Sequence, residues 1–366
     1  MYRTHNPSAP GMHNMAGARR AVQTALSLEE GLKQVVNLNF IDQIRPEYHD
    51  RLVHLAGSLQ TDKALGDPDY GVAIKAVKLR RKVEMYQWVE HKNTREYDEG
   101  GRKRVETTFS YSMDWKDHIV RSDAFDQPSG HQNPNSMPVN SYTKEADFVK
   151  IGAFTLSKGL IGKVNEFQAL SPREVPHGKT MHLHNGMFYH AMDLFYPRVG
   201  DVRVQFSFAG LSGKPGSGLG DPMKVSIVAR QQGGTLSHYH TKSGDSLELL
   251  YPGEMSAEEI FDAEHSANTI LTWGLRGVGW VLMFIGFQMT TSMLVALISW
   301  LPIIRELVGL GLTLLCLCLA TSLSLVTIAI GWIAHRPLLG LTLLAAAAVP
   351  ILVSRRRAQA VNHRKT

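Results

Sequence analysis

Histidines at short spacings are the first residues of this sequence whose type suggests chemistry. His182 and His184 form an H-x-H pair with His190 nearby, and the same spacing recurs at His238 and His240. On a strand such a pair can chelate a metal ion, but a zinc site needs a third ligand and hydrogen-bonded outer partners. The pattern therefore favours packed or exposed histidines, and we predict no metal site.

Two cysteines, Cys316 and Cys318, both lie in an apolar stretch. Residues at i and i+2 point to different sides of a helix, so this spacing predicts no disulfide and favours packing as small apolar side chains. The sequence contains no G-x-S-x-G, Walker A or H-E-x-x-H motif. We therefore predict no catalytic residue and no cofactor.

Charge is distributed unevenly along the chain. The sequence has 39 Lys+Arg against 33 Asp+Glu, a net charge of +6, and the seven basic residues and one acidic residue after Ile304 account for all of that excess. The part up to Ile304 is formally neutral, which argues against a basic face for nucleic acid. A charged first part followed by a nearly uncharged stretch excludes a simple soluble enzyme, a collagen-like chain and a disordered protein.

Three apolar runs near the carboxyl end supply the membrane elements. A bilayer core about 30 Å thick needs about 20 helical residues. The runs 277–300 and 307–334 exceed that length, and the run 337–353 is shorter. Backbone groups in lipid must be satisfied internally, so we predict three transmembrane helices, with a re-entrant hairpin as the alternative for the third run.

Small and hydroxyl-bearing residues recur along the second run. Such residues let helices approach closely, and hydroxyls bond across to a neighbouring helix or back to the i−4 carbonyl. They indicate either packing within the bundle or a self-association face. The helix-packing candidates are Gly309, Gly311, Ala320, Thr321, Ser322 and Ser324.

The basic tail 354–366 predicts the orientation of the chain. Arg355, Arg356 and Arg357 are its topology-determining residues, and they place this end in the cytosol or nucleoplasm. Three spans then place the large polar domain in the lumen. Residues 1–20 contain no apolar segment that could initiate translocation. The lumenal placement predicted from the tail therefore conflicts with the composition of the N-terminal segment.

Alternating patterns predict strands through most of the polar domain, which we place at 21–263. Val77–Glu90 and Arg104–Trp115 flank Gly100 and Gly101, and this arrangement predicts a long hairpin. Further strands are expected at Leu52–Leu59, Asp201–Ala209, Lys224–Arg230 and Leu247–Tyr251.

Two helices are expected in the otherwise strand-rich polar part. One is Ser27–Val36, with Ser27 as its cap. The other starts in a capping box formed by Ser256 and Glu259 and continues through a juxtamembrane helix at 264–276 towards the first span. The predicted fold is a β-rich (α+β) extramembrane domain followed by a C-terminal bundle of three transmembrane α-helices.

Several long runs of this sequence resemble the transmembrane protein 43 (LUMA) family. They extend from about Ala21 to Arg357 and include SLEEGL, RLVHLAGSL, DPDYGV, AVKLRRKVEMYQWVE, GDVRVQFSFAGLSG, TKSGDSLELL, SAEEIF, CLATSLSLVTIAIGW and RPLLGLTLLAAAAVPILV. The resemblance implies a multi-pass scaffold of the endoplasmic reticulum and inner nuclear membrane that self-associates, binds emerin and lamins, and organises nuclear-envelope complexes. It implies no enzymatic activity. The family has a further N-terminal span, which a divergent segment at 1–20 replaces here.

A lipid-handling or enzymatic protein, with a site where the domain meets the membrane, is the alternative function. Tyr86, Trp88, Tyr111 and Trp115 could line a groove for acyl chains, or they could form cross-strand pairs that stabilise a hairpin. A channel subunit is a third possibility, but the three uncharged runs offer no filter and no charged ring.

Overall fold

The computed structural model describes residues 10–99, 102–213, 220–297, 302–333, 338 and 340–349. The described residues form two compact units. The strand unit comprises the described residues of Val36–His238 and Glu248–Met255, and the helical unit comprises the described residues up to Val35, Tyr239–Leu247 and the described residues from Ser256 onward. A strand-rich part followed by C-terminal helices is the predicted order, and it is confirmed.

The described residues contain nineteen strands and the four helices α1–α4, besides a short helix at Gly340–Val349. The strands are β1 Val36–Asn37, β2 Leu52–Ser58, β3 Gln60–Thr61, β4 Leu65–Asp67, β5 Val72–Ile74, β6 Ala76–Glu99, β7 Arg102–Lys116, β8 Tyr142–Glu145, β9 Val149–Ile151, β10 Phe154–Leu156, β11 Gln168–Leu170, β12 His182–His184, β13 Met187–His190, β14 Val202–Leu211, β15 Lys224–Gln232, β16 Thr235–Ser237, β17 Tyr239–His240, β18 Ser246–Leu247 and β19 Leu249–Pro252. The helices are α1 Pro10–Gln34, α2 Lys158–Lys163, α3 Ala257–Leu297 and α4 Pro302–Ile333.

An eight-stranded sheet forms one part of the strand unit. Its order is β1-β2-β15-β16-β10-β9-β3, and β19 also pairs with β15. The central strand β15 is buried over most of its length, and it bonds to β2 on one side and to β16 and β19 on the other. Val53, Leu55, Ile227 and Phe154 meet in the core on this sheet.

A seven-stranded sheet forms the other part. Its order is β12-β13-β14-β6-β7, with β11 added to β14 and β8 added to β6. Alternate residues of β14 are buried from Val202 to Phe208, as the period-2 pattern of its sequence predicts, and the strand is buried throughout from Phe208 to Leu211. Val83, Phe188, Val204 and Phe206 are fully buried in the second core.

The predicted long hairpin is confirmed and is longer than the alternating runs suggest. β6 and β7 pair antiparallel through fifteen residue pairs, from Met85 opposite Lys116 to Glu99 opposite Arg102. The predicted turn residues Gly100 and Gly101 lie outside the described residues. The polar residues between the two predicted strands continue the ladder because its backbone bonds need no apolar side chains.

The first helix corrects the prediction for the N-terminal part. Ser27 was expected to cap a helix over 27–36, but α1 begins at Pro10 and Ser27 lies within it, fully buried. The Ser27 hydroxyl lies 2.8 Å from the hydroxyl of Thr241 in a side-chain hydrogen bond. Val22 and Leu28 are also buried, so packing within the helical unit extends the helix beyond the cap expected from residue type.

Gly31 lies where α1 packs most closely in the helical unit. A Cβ atom at this position would lie 2.5 Å from Leu247 and 2.8 Å from the ring of Phe261. Phe261 is fully buried on α3. The absence of a side chain at Gly31 is therefore what admits the ring against the backbone of α1.

The predicted capping box at the start of α3 is confirmed. The Ser256 backbone N–H donates to Glu259 Oε2 at 2.8 Å, and the Glu259 N–H donates to Ser256 Oγ at 3.2 Å. The predicted juxtamembrane helix 264–276 lies within α3, which runs on without interruption to Leu297.

Within the described residues, two helices are long and apolar enough to cross a membrane. The segments that meet this condition are Ala257–Thr291 and Gly311–Ile330. The third predicted span corresponds to a shorter apolar helix at Gly340–Val349. Ten helical residues rise about 15 Å, roughly half of a bilayer core. The described residues thus provide two membrane-crossing helices where the sequence predicts three, and part of the run 337–353 lies outside them.

Candidate functional site

Thr321 is the helix-packing candidate with the most specific contacts. The indole N–H of Trp280, on α3, donates to Thr321 Oγ1 on α4 at 3.2 Å. The Thr321 hydroxyl in turn donates to the carbonyl oxygen of Leu317 at 2.8 Å. The hydroxyl therefore bonds across the helix pair and back to its own helix at the same time, combining the two modes expected of such residues.

The other candidates on α4 have different surroundings. Ala320 and Ser322 are buried, and the Ser322 hydroxyl has no hydrogen-bond partner among the described residues. Ser324 is half-buried, and its carbonyl accepts a bond from the Thr327 hydroxyl at 2.8 Å. Gly311 has open space where a Cβ would lie. The surroundings of Gly309 lie outside what the structure describes.

The candidates therefore do not form one continuous seam. Ala320 and Ser322 are the buried ones, Thr321 bonds to α3, and Gly311 is exposed. Cys316 is also buried on α4, and its sulfur lies 3.6 Å from Thr291 Oγ1 on α3. The topology-determining residues Arg355, Arg356 and Arg357 lie outside the described residues.

The four aromatic residues of the hairpin contact other side chains rather than line a shared groove. Tyr86 and Trp115 are opposite each other, with ring centroids 5.2 Å apart. Tyr111 stacks on His131 at 3.9 Å, and Trp88 contacts the same imidazole edge-on at 4.7 Å. These are the contacts of the packing alternative, in which aromatic pairs stabilise the sheet.

Two surface cavities of the strand unit are lined by other residues. One, of about 480 Å³, lies beside Ile119, Ser122 and Asn133. The other, of about 300 Å³, lies beside Gln168, Phe208 and Met223. None of the hairpin aromatics Tyr86, Trp88, Tyr111 and Trp115 lines either cavity.

The histidines of the H-x-H pairs lie on short strands. His182 and His184 belong to β12, which pairs with β13, and His240 belongs to β17. Among the described residues, no group of three or more His, Cys, Asp or Glu side chains is placed to hold a metal ion. His190 instead bonds through Nε2 to the hydroxyl of Tyr70 at 2.9 Å.

A buried ionic cluster in the strand unit is the polar feature that sequence reasoning missed. Asp67 is 2% exposed and forms an ion pair with Arg81 at 2.7 Å. The Tyr142 hydroxyl also donates to Asp67 at 2.7 Å. The Asp69 backbone N–H donates to the other carboxylate oxygen of Asp67 at 3.1 Å, so the buried charge is well satisfied.

Burial and neighbouring charges shift the pKa values of Tyr142 and of the adjacent pair Tyr70 and His190. Burial raises the pKa of Tyr70 to about 12, against the opposing effect of Arg81. Burial and the bond to Asp67 raise the pKa of Tyr142. Burial, with a smaller contribution from Lys179, lowers the pKa of His190. The tyrosines are thus held neutral and protonated, which suits hydrogen-bond donors in a structural network better than a proton-abstracting base.

No short spacing could have revealed this cluster. Asp67 and Arg81 are 14 residues apart, and Asp67 and Tyr142 are 75 residues apart. The run DPDYGV contains Asp67 and Tyr70, and the proline after Asp67 starts a short 3-10 turn at Pro68–Tyr70. That turn is the one local signal that Asp67 caps a helical segment.

Comparison with known proteins places this chain beside one family. The family described as Transmembrane protein 43 matches residues 85–337. The human and mouse proteins called Transmembrane protein 43 are each 48% identical over 343 residues, which is 93% of this chain and 85% of each relative. A Drosophila melanogaster protein called Transmembrane protein 43 homolog is 36% identical over 336 residues, 90% of this chain and 87% of that relative. No solved structure matches.

Proposed function

Because this chain belongs to the Transmembrane protein 43 family, we propose that it is a multi-pass membrane scaffold of the endoplasmic reticulum and inner nuclear membrane. In this role it helps to organise nuclear-envelope protein complexes and to maintain the structure of the nuclear envelope. Its partners are the lipid bilayer, further copies of itself, and emerin and lamins. Its function is binding rather than catalysis.

The helix α3 is the observation that carries this proposal. It begins in the capping box directly after the last strand of the strand unit and extends over 41 residues, or about 60 Å. Ile260 and Phe261 near its start are fully buried, whereas Ile270, Leu271 and Trp273 are well exposed. Exposed apolar side chains on a membrane-length helix are suited to lipid, and a chain that joins such a helix to a large strand unit is suited to hold binding surfaces at a membrane.

The placement of the two ends follows from charge. The tail with Arg355, Arg356 and Arg357 lies in the cytosol or nucleoplasm in this proposal, and, with the run 337–353 as a third crossing after the two described membrane helices, the strand unit lies in the lumen. The tail then faces lamins, while the strand unit has a separate set of lumenal neighbours.

Proximity labelling tests the location and the partners together. A biotin ligase fused after Thr366 should label emerin and lamins in intact cells. The matched control is the same ligase fused to an unrelated tail-anchored protein of the endoplasmic reticulum. Recovery of plasma-membrane proteins in place of nuclear-envelope proteins would refute the proposal.

Protease protection tests the orientation. In sealed microsomes the strand unit should resist protease until detergent is added, while an epitope tag after Thr366 should be removed at once. The triple substitution R355S/R356S/R357S should reduce the fraction of protected strand unit, because these basic residues bias the orientation. Complete digestion of the strand unit in sealed microsomes of the unsubstituted protein would show that it faces the cytosol.

A further inference from the structure

The outer edge of β7 is the longest edge strand of the seven-stranded sheet. Within the described residues, β7 pairs only with β6, and it is 15 residues long. An unpaired strand edge presents a row of backbone N–H and C=O groups that can bond to another chain. Natural proteins usually shorten, cover or bulge such an edge, and the register of β6 with β7 runs without a bulge.

The hydrogen bonds of β6 show which residues of β7 face outward. Tyr86 bonds through its N–H to Asp201 and through its carbonyl to Gly200, and Trp88 bonds through both of its backbone groups to Asn133. The backbone N–H and C=O groups of Tyr86 and Trp88 therefore point away from β7. The residues opposite them on β7 likewise point their backbone groups away from β6, towards the outer edge of β7. Counting by two from Trp115, the outward-facing positions of β7 include Met113, Tyr111, Phe109, Thr107 and Val105.

These same positions form the apolar face of the strand. Side chains at i and i+2 share one face, so Val105, Phe109, Tyr111, Met113 and Trp115 line up along β7. Part of this face is covered near Tyr111, which stacks on His131. Val105 is 59% exposed and Met113 is 42% exposed, so apolar surface continues along the free edge on both sides of Tyr111.

We propose that the free edge of β7 pairs antiparallel with β7 of a second copy of this chain, centred on Phe109. The proposal rests on the self-association put forward under Proposed function and names the surface that performs it. Residue 109 is the midpoint of Arg102–Lys116, so this is the register in which all fifteen residues of the strand have a partner. It extends two hairpins into one four-stranded antiparallel ribbon with a two-fold axis.

Charge favours the same register. With Phe109 opposite Phe109 of the second copy, each end of the pairing places Arg104 opposite Asp114, an opposite-charge pair, and Arg102 opposite Lys116, a like-charge pair. On the other face Val105 lies opposite Met113, so apolar side chains meet apolar side chains. A register centred on Ser110 instead places Arg104 opposite Lys116 and Glu106 opposite Asp114, and like charges directly opposite are destabilising.

Oxidative cross-linking of the full chain in detergent or native membranes tests the proposal. The background protein carries C316A and C318A, so that F109C supplies the one thiol. Directly opposite residues of a hydrogen-bonded antiparallel pair have Cα atoms about 5.5 Å apart, a distance that a disulfide spans. We expect F109C to form a covalent dimer on mild oxidation. T94C, on the exposed β6 side of the same hairpin, should remain monomeric because the two Thr94 positions are about three strand spacings apart.

Proline substitutions supply a matched pair that separates folding from pairing. Thr107 and Thr94 are opposite each other and direct their N–H groups to opposite edges of the hairpin. Proline at either position removes no bond between β6 and β7, but only T107P blocks the β7 edge. T107P should abolish the F109C cross-link, and T94P should preserve it.

A charge exchange tests the register. R104D or D114R alone should weaken the F109C cross-link, and the double variant R104D/D114R should restore it. The mass of the unsubstituted protein, measured by light scattering, is recorded alongside. An oligomer whose F109C variant does not cross-link would refute the β7 interface and leave self-association standing, whereas a monomer would refute both.

Discussion

Arg81 and Tyr142 lie directly opposite each other on β6 and β8, and both bind Oδ2 of Asp67, each at 2.7 Å. The guanidinium also lies over the Tyr142 ring, 4.3 Å from its centroid. One carboxylate oxygen thus ties together two strands and the turn that follows β4. The strand register places these groups, and the ionic bond then holds the turn in its position.

Replacement of Asp67 by asparagine tests this cluster. Asp67→Asn leaves the Arg81 charge without its counterion at a side chain that is 13% exposed. Breaking a buried ion pair by removing one partner typically costs about 3–5 kcal/mol, and the remaining amide oxygen should keep the loss at the lower end. Urea unfolding followed by tryptophan fluorescence measures the change.

The matched control is Asp69→Asn, two residues away. Asp69 pairs with Lys179 at 3.4 Å and is largely exposed. An exposed pair contributes about 0–1 kcal/mol, so this variant should unfold close to the unsubstituted protein. Equal losses for the two variants would contradict a specific role for Asp67.

Acid should weaken the strand unit through His190. Its pKa is lowered in the folded state by burial and by Lys179, relative to an unfolded value of about 6.5. The stability that this histidine contributes is therefore present above pH 6.5 and is lost as the pH falls through its folded pKa. Protonation also removes the capacity of Nε2 to accept the Tyr70 hydroxyl hydrogen.

His190→Gln should consequently show a smaller loss of unfolding free energy between pH 7 and pH 5 than the unsubstituted protein. His54 also has a pKa lowered by burial, so part of the acid sensitivity should persist in this variant. The control is His177→Gln at an exposed position. A pH profile of His190→Gln that parallels the unsubstituted protein would contradict the assignment.

Thr321→Val should loosen the α3–α4 contact. Valine has nearly the shape of threonine but removes the acceptor for the Trp280 indole and the donor to the Leu317 carbonyl. Hydrogen bonds between membrane helices are worth about 0.6 kcal/mol on average and up to about 1.7 kcal/mol. Thermal unfolding in detergent reports the loss.

Thr290→Val is the control for that substitution. The Thr290 hydroxyl is exposed and donates to the Gly286 carbonyl of its own helix, at 2.9 Å. It should leave helix pairing unchanged. If both valine variants shift the melting temperature alike, the effect comes from general hydroxyl loss rather than from the bond to Trp280.

Ser256→Ala should destabilise the start of α3. It removes the oxygen that accepts the Glu259 N–H, and replacing such a cap by alanine typically costs about 1 kcal/mol. Glu259→Gln keeps a side-chain acceptor for the Ser256 N–H and should cost less. Amide hydrogen exchange over the first turn of α3 measures both, with Glu258→Gln as the exposed control.

Local signals predict the elements whose structure is determined locally. The Ser256–Glu259 pair identifies the start of α3, and alternation identifies β2, β14 and the proximal parts of β6 and β7. Hydrophobic length identifies two membrane helices. Each of these depends on neighbouring residues in the chain, which is why the sequence alone reveals them.

Features created by distant residues could not be found in this way. The residues 10–26 have no strong helical pattern, and α1 is extended by contacts such as Thr24 with Asp245 at 2.8 Å, which are far away in sequence. The Asp67 cluster depends on the pairing of β6 with β8, which no local pattern specifies. Of the third predicted span, 337–353, the structure describes the apolar helix Gly340–Val349, and residues at both ends of that run lie outside the described residues.

Gly31 is a position of the helical unit at which no side chain fits without displacing its neighbours. Phe261 and Leu247 already occupy the space that even one methyl group would need. An alanine there would add a good helix former to α1 and yet push it away from its neighbours, so helix propensity and tertiary fit have opposite signs at this residue. Genetic variation at codon 31 should accordingly be rarer than at the exposed glycines of α3, Gly274 and Gly277, where an added methyl group would have no described residue within 4 Å.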